Sequence, residues 1–262
     1  MRILVTRPLE DGREIAARLA EMGHQALLAP LLAPVWQDGP EPDFAGVQAI
    51  LATSANGIRA LVRRIHRPTS PFARSAQKGE VAEASAAEPR GSEGRRGFDI
   101  FNLPIFAVGP QTMAEARAAG FADIRNGDGD ASDLAQAVTR WTMPDKGALL
   151  HVCGAEAPGT LAEALEGKGF SLRRSVLYRV EAAHALPPET VAALQEGALD
   201  AALFFSPRSA RLFCELAAGL PTQTLAALCI SPATAAALAP GAFGRVAAAA
   251  RPNQASLLAL LA

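Results

Sequence analysis

The opening stretch of the chain and a stretch that begins near residue 150 share one order of elements, and this repetition constrains the fold most. Residues 3–34 read as an apolar strand, the polar turn Thr6-Arg7-Pro8, a helix with apolar residues at i, i+4 and i+7, and a second strand. Gly23 follows the last apolar turn, where a residue able to adopt positive φ ends a helix. Residues 149–180 repeat this plan, with Gly169 in the corresponding place. The order strand, helix, strand predicts a βαβ unit of a parallel sheet.

Two further strand–turn–helix units are also duplicated. The unit at 51–65 has its counterpart at 203–216, and the turn at 108–112 has its counterpart at 230–234. The chain therefore has the order A-B-C-A′-B′-C′, which predicts two similar α/β domains. The repeat alone leaves open whether the sequence halves are the domains or exchange pieces.

Composition narrows the class of protein. The chain has 262 residues, half of them hydrophobic, and a formal net charge of -1, so it has enough apolar residues for two cores and no basic field to attract nucleic acid or an anionic membrane. Cys153, Cys214 and Cys229 form no CxxC pair and are predicted to be free thiols in apolar surroundings. Without an export signal or a run of about 18 apolar residues, a cytoplasmic protein is expected.

Residues 66–98 are rich in Ser, Pro, Ala, Gly, Arg and Glu and are predicted to be a flexible insertion. The chain has no GxGxxG, GxxxxGK[ST], HExxH or GxSxG motif, and these absences disfavour a nucleotide cofactor and a metal. Its four histidines show no ligand spacing and are interpreted as surface or packing residues. The Asp128-Gly129-Asp130 turn lacks the glycine and glutamate spacing of an EF-hand.

Six polar turns, each between the carboxyl end of a strand and the start of a helix, are the candidate binding sites. Free N–H groups and the positive end of the helix dipole meet there, which suits a carboxylate or phosphate. Helix capping accounts for the same Ser and Thr residues, so both interpretations stay open. The candidate binding residues are Thr6, Arg7, Thr53, Ser54, Asn56, Gly109, Thr112, Gly154, Ser206, Pro207, Ser209, Ser231 and Thr234.

Tyr178 is the only tyrosine and lies in the last strand of the second copy of the repeat. A phenol can donate a proton or a hydrogen bond while staying neutral at physiological pH. Packing between domains is the alternative role for this residue.

Together these motifs resemble uroporphyrinogen-III synthase in its bacterial form, over nearly all of the chain except 66–98. The resemblance is carried by ILVTRP at the start, TSANGI at 53–58, IFAVGPQT at 105–112, the Gly154 turn, residues 176–179, FFSPRSARLF at 204–213 and ISPAT at 230–234.

The resemblance implies two flavodoxin-like α/β domains joined by a two-stranded β crossover, with the active site in the cleft between them. The first domain would comprise 1–35 and 180–262, and the second 38–177. The reaction implied is cyclisation of hydroxymethylbilane to uroporphyrinogen III, with loss of water and inversion of ring D through a spiro intermediate, without cofactor or metal. A noncatalytic carboxylate-binding or regulatory protein of the same fold is the alternative.

The resemblance also assigns roles. Tyr178 would help the substrate hydroxyl to leave as water, and the thirteen turn residues would bind a linear tetrapyrrole that carries eight carboxylates. A transient contact with the preceding enzyme of the pathway is a further implied partnership. The Gly154 turn often carries a basic residue in this family, whereas AEAPG follows here, so Arg7, Arg179 or Arg208 is expected to supply that charge.

Overall fold

The computed structural model describes residues 1–65, 99–127 and 131–261. The predicted insertion at 66–98 and the turn residues 128–130 lie outside the described residues. The strands are β1 (Arg2–Val5), β2 (Gln25–Leu28), β3 (Leu32–Trp36), β4 (Val47–Ala52), β5 (Ile105–Ala107), β6 (Ile124–Asn126), β7 (Ala148–Gly154), β8 (Leu172–Ala182), β9 (Ala201–Phe204), β10 (Ala226–Cys229) and β11 (Arg245–Ala248). The α-helices are α1 (Leu9–Glu21), α2 (Ala55–Ile65), α3 (Gly109–Ala118), α4 (Ala131–Trp141), α5 (Thr160–Glu166), α6 (Pro188–Gln195), α7 (Pro207–Leu216), α8 (Pro232–Ala235) and α9 (Gln254–Leu258).

The chain divides into two compact units. The first contains residues 1–35 and 180–262, and the second contains residues 36–179. The chain passes from one unit to the other within β3 and returns within β8.

The sheet of the first unit has the order β11-β10-β9-β1-β2, and its described strand pairs are parallel. It is buried on both faces because successive side chains of a strand point to opposite sides. Ile3 packs in a cluster with α1 and α9, whereas Leu4 packs in a cluster with α6 and α7. Helices therefore cover both sides of this sheet, which is the doubly wound arrangement.

The sheet of the second unit has the order β3-β8-β7-β4-β5-β6. Leu149 of β7 packs with α4 and α5 on one face. Gly57 of α2 lies against Val152, the side chain of which points to the opposite face. The helix that follows β7 and the helix that follows β4 thus lie on opposite faces, so the boundary between these two strands is the topological switch point.

The two sheets follow the same spatial order once strands are matched by their place in the sequence repeat. The series β2-β1-β9-β10-β11 in the first unit corresponds to β8-β7-β4-β5-β6 in the second. The predicted parallel α/β fold is confirmed. The second unit is a circular permutation of the first, because its sequence starts at the strand that matches β9.

Some boundaries differ from the prediction. The sequence predicts a single strand after the helix within residues 3–34, but two strands form there, β2 and β3, separated by Ala29, Pro30 and Leu31. Pro30 lacks the N–H that a continuous ladder requires. Helix α6 and strand β11 have no counterpart in the sequence analysis. Among the described residues, no helix combines the length and the hydropathy needed to cross a bilayer.

Candidate active site

Tyr178 and Ser54 form a hydrogen-bonded pair at the carboxyl edge of the sheet in the second unit. Ser54 lies two residues beyond β4, and Tyr178 lies in β8, two strands away in the sheet. The Oη of Tyr178 is 2.8 Å from the Oγ of Ser54, and either oxygen can be the donor. Tyr178 is 7% exposed, so the phenol lies in a largely dry environment, whereas Ser54 is half-buried.

Glycine and tryptophan hold the Tyr178 ring in place. A Cβ on Gly154 would lie 2.9 Å from the ring atoms Cε2 and Cζ, closer than real Cβ contacts come. Trp36 makes an edge contact with the same ring, with 6.1 Å between the centroids. The Arg63 guanidinium lies 5.3 Å above the Trp36 ring. Tyr178 therefore fits only because residue 154 has no side chain.

The environment keeps the phenol protonated. Burial raises the pKa of Tyr178 above its usual value, and the nearby Cys153 and Glu156 raise it further, whereas the hydrogen bond with Ser54 lowers it. A neutral phenol at physiological pH can donate its proton, and the Ser54 hydroxyl can stabilise the phenolate that remains.

Ser54 also begins helix α2. Its Oγ accepts a hydrogen bond from the N–H of Gly57 at 3.2 Å, which is the usual contact of a capping serine. One turn further on, Arg59 donates to Asn56 Oδ1 at 3.2 Å and bonds Glu115 of α3 at 2.8 Å. The predicted site residues Ser54 and Asn56 are therefore fixed by contacts within α2 and to α3.

The predicted residues Gly109 and Thr112 lie at the neighbouring turn. Gly109 has φ 78° at the first position of α3, a conformation that favours glycine. Thr112 is 4% exposed. Thr53 lies beside them at the end of β4, where it faces a pocket.

This pocket of about 230 Å³ opens at the switch point between β7 and β4. Its lining includes Thr53, Val108, His151, Pro158, Thr160 and Leu161. His151 is 2% exposed, and no described residue hydrogen-bonds its Nε2. Burial, and secondly the charge of Arg174, lower the pKa of His151 to about 4, so the imidazole is neutral at physiological pH.

The predicted residues of the first unit lie at the carboxyl ends of β1, β9 and β10. Thr6 is 2% exposed and donates to the carbonyl of Leu203 at 2.7 Å, joining the ends of two neighbouring strands. Arg7 bonds Asp11 at 2.7 Å and lies 5.0 Å above the Phe205 ring.

The serines of the first unit cap helices. Ser206 Oγ accepts from the N–H of Ser209 at 3.1 Å, and Ser231 Oγ accepts from the N–H of Thr234 at 3.2 Å. In each pair the two side-chain oxygens are also 3.0 Å apart. Pro207 occupies the first position of α7, which is a favourable position for proline.

The predicted site residues thus form one group in each unit. Thr53, Ser54, Asn56, Gly109, Thr112, Gly154 and Tyr178 lie in the second unit; Thr6, Arg7, Ser206, Pro207, Ser209, Ser231 and Thr234 lie in the first.

Three residues beside the site are not singled out from the sequence: His151, Trp36 and Arg174. The sequence interprets His151 as a surface or packing residue, and the structure buries it. A histidine within an otherwise apolar strand that ends in a candidate turn is the available signal for His151. Arg174, which donates to the Ala157 carbonyl at 3.0 Å, is not among the arginines expected to supply charge near the Gly154 turn.

Fold and site together define a doubly wound α/β protein in which a buried phenol is hydrogen-bonded to a half-buried serine at the carboxyl edge of one sheet. The sequence matches the family model described as uroporphyrinogen-III synthase HemD over residues 13–259. The chain therefore belongs to the uroporphyrinogen-III synthase family, a family of lyases in heme and porphyrin biosynthesis.

A solved structure agrees on the fold. Uroporphyrinogen-III synthetase from Helicobacter pylori 26695 has 17% identity and a TM-score of 0.61, over 100% of this chain and 98% of that chain. A mutant uroporphyrinogen III synthase from the extremely thermophilic bacterium Thermus thermophilus has 20% identity and a TM-score of 0.49, over 100% of this chain and 97% of that chain. No curated protein matches the chain significantly.

Proposed function

We propose that this chain converts hydroxymethylbilane into uroporphyrinogen III, with loss of water and inversion of ring D through a spiro intermediate. Membership of the synthase family gives the overall reaction. The observation that carries the chemical proposal is the 2.8 Å hydrogen bond between Ser54 and Tyr178.

In this proposal Tyr178 is the proton donor for the departing hydroxyl. The carbon–oxygen bond of the hydroxymethyl group breaks, and the phenol proton leaves with the oxygen as water. The proton is returned when the closing macrocycle loses one. Ser54 donates to the phenolate in the interval, which lowers the free energy of the charged intermediate.

The polar turns at the strand ends are proposed to bind the carboxylates of the substrate. Their backbone N–H groups can hold anions without making the whole protein basic, which fits a formal net charge of -1. Binding must also select a conformation, because the free bilane closes without inversion to the type I isomer. Orientation at several carboxylates favours attack at the substituted carbon of ring D.

The test replaces Tyr178 by phenylalanine, which keeps the ring between Gly154 and Trp36 and removes only the oxygen. Freshly prepared hydroxymethylbilane is incubated with each protein, and the oxidised products are separated into type I and type III isomers. We expect wild type to give an excess of type III and Tyr178→Phe to lower the rate of type III formation by about 100-fold, a typical loss for a proton donor.

The variant Ser54→Ala retains the phenol without its partner and should show a smaller loss, on the order of 10-fold. Circular dichroism and thermal unfolding check that both variants are folded. A wild-type rate in Tyr178→Phe would remove Tyr178 from the mechanism. Type I product alone from the wild-type protein would overturn the proposed reaction.

A further inference from the structure

The pocket at the switch point of the second unit contains a buried nitrogen atom without a described partner. His151 lies in β7, and its side chain lines the pocket together with Thr53 and Thr160. The residue is 2% exposed, and no described residue donates to or accepts from its Nε2.

An apolar side chain would suit this strand better if packing were the only requirement. His151 is paired with Leu51 in β4 and lies between Val152 and Leu150 in the sequence, all of them buried and apolar. Leaving a buried polar atom unpaired destabilises the folded protein. A ligand group in the pocket would provide the missing hydrogen bond.

The surrounding charge favours an acidic ligand. Arg174 is directly paired with His151 across β7 and β8, so the two side chains share one face of the sheet. Its guanidinium donates to the carbonyl of Ala157, which also lines the pocket, at 3.0 Å. Glu156 and Glu163 belong to the same loop and helix, but the charge that acts on His151 is that of Arg174, and it lowers the pKa of the imidazole.

The size of the pocket limits what can enter. At roughly 30 Å³ for each water-sized group, about 230 Å³ accommodates a carboxyl group on a short carbon chain but not a tetrapyrrole. The position at the carboxyl ends of β4 and β7 is where doubly wound sheets bind ligands.

We propose that this pocket is a subsite for one carboxylate-bearing side chain of the substrate, which accepts a hydrogen bond from Nε2–H of His151 beside the Thr53 and Thr160 hydroxyls. The inference rests on the proposed function, because the tetrapyrrole supplies the carboxylate. His151 is a binding residue in this scheme, and it takes no part in proton transfer to the leaving hydroxyl.

The first test follows the imidazole signals of the intact protein by NMR while sodium propionate is added. The chain has four histidines, so the His151 signal is assigned by its absence in His151→Phe. We expect a saturable shift of the His151 signal with propionate and none with propionamide, its neutral analogue, or with sodium chloride. Equal shifts with all three additives, or no shift with propionate, would overturn the subsite.

The second test measures kinetics of type III formation. His151→Phe removes the donor and should raise KM by about 10-fold while kcat changes little, because a contact made equally in the ground and transition states affects binding alone. His151→Gln restores an amide donor and should recover part of the loss. The matched control is His184→Phe, which replaces an exposed histidine and should keep the wild-type KM.

The outcomes separate this subsite from the proposed reaction. If wild type forms only type I isomer but propionate shifts the NMR signal of His151, the proposed reaction is wrong and the carboxylate pocket is supported. If wild type forms type III isomer while His151→Phe is folded and has an unchanged KM, the subsite is wrong and the proposed reaction is supported.

Discussion

Gly154, which has no side chain, decides the geometry of the candidate site. The ring of Tyr178 occupies the space next to Gly154, where an added Cβ would lie 2.9 Å from two ring atoms. Gly154 and Tyr178 are neighbours across β7 and β8, at a register shift that follows Cys153. The glycine therefore determines how far the phenol can approach Ser54.

This arrangement predicts that Gly154→Ala moves the Tyr178 ring. We expect a loss of about 1–3 kcal/mol in the free energy of unfolding, typical of overpacking, together with a lower rate of type III formation. Urea unfolding and the isomer assay measure the two effects. Gly159→Ala is the control in the same loop, because its Cβ would meet only a side-chain oxygen at 3.5 Å. Equal behaviour of the two variants would contradict this account of Gly154.

Tyr178 can be identified from the sequence as a candidate site residue, but the residues that surround it cannot. As the only tyrosine in a repeated strand, Tyr178 is identifiable as a candidate. Its partner Ser54 lies 124 positions away, and only the strand order β8-β7-β4 brings the two together. The pocket beside His151 is not visible in the sequence for the same reason: a lone histidine in an apolar strand indicates packing, and only the topology shows that a pocket lies beside it.

At the scale of elements, the polar turns of the first unit are caps as well as binding candidates. Ser206 and Ser231 each accept a hydrogen bond from the N–H three residues ahead. Asn253 begins α9 in the same way, accepting from the N–H of Ser256 at 2.8 Å. These contacts satisfy N–H groups that a helix start leaves unpaired.

Replacing a helix-capping residue distinguishes a role in capping from a role in substrate binding. We expect Ser206→Ala to lower the free energy of unfolding by about 1 kcal/mol through lost capping. Asn253→Ala should cost about the same and is the matched control, because Asn253 is not a predicted site residue. Denaturant unfolding gives the stabilities, and the KM for type III formation tests binding. A KM raised only in Ser206→Ala supports substrate contact; unchanged KM values in both variants would leave Ser206 as a cap alone.

The elements themselves are predictable where periodicity is strong. The apolar stripe of α1 indicates how far the helix extends, and Gly23, with φ 78°, indicates where it ends. The division between β2 and β3 is not predictable from hydrophobicity, because Leu27 and Leu31 are both buried although one lies in β2 and the other in the connection to β3. Short apolar runs do not show where hydrogen bonding changes partner.

At the scale of the whole molecule, duplication in the sequence becomes duplication of sheet topology. Both units order their matched strands alike, although the chain enters the second unit at a different strand. A parallel sheet needs only that consecutive strands be linked by helices, so its order survives a change in where the sequence starts. The repeat predicts the α/β class for this reason, and the class is confirmed.

At the same scale, the free energy of unfolding of the protein in acid should depend on the buried imidazole of His151. The unfolded chain takes up a proton at His151 near pH 6.5, whereas the folded protein, in which the pKa of His151 is lowered, resists that proton until about pH 4. The unfolded state therefore binds more protons in this window, and the free energy of unfolding falls as pH falls through it. At about 1.4 kcal/mol per pKa unit, this histidine alone removes up to roughly 3 kcal/mol between pH 6.5 and pH 4.

Urea unfolding of wild type and His151→Phe at intervals from about pH 7 to about pH 4 measures this contribution. Carboxylates titrate in both proteins, so the difference between the two curves isolates residue 151. We expect the stability of His151→Phe to decline less steeply with acidification than that of wild type. Parallel curves for wild type and His151→Phe would show that residue 151 is protonated equally in the folded and unfolded states, which the buried neutral imidazole of this structure does not allow.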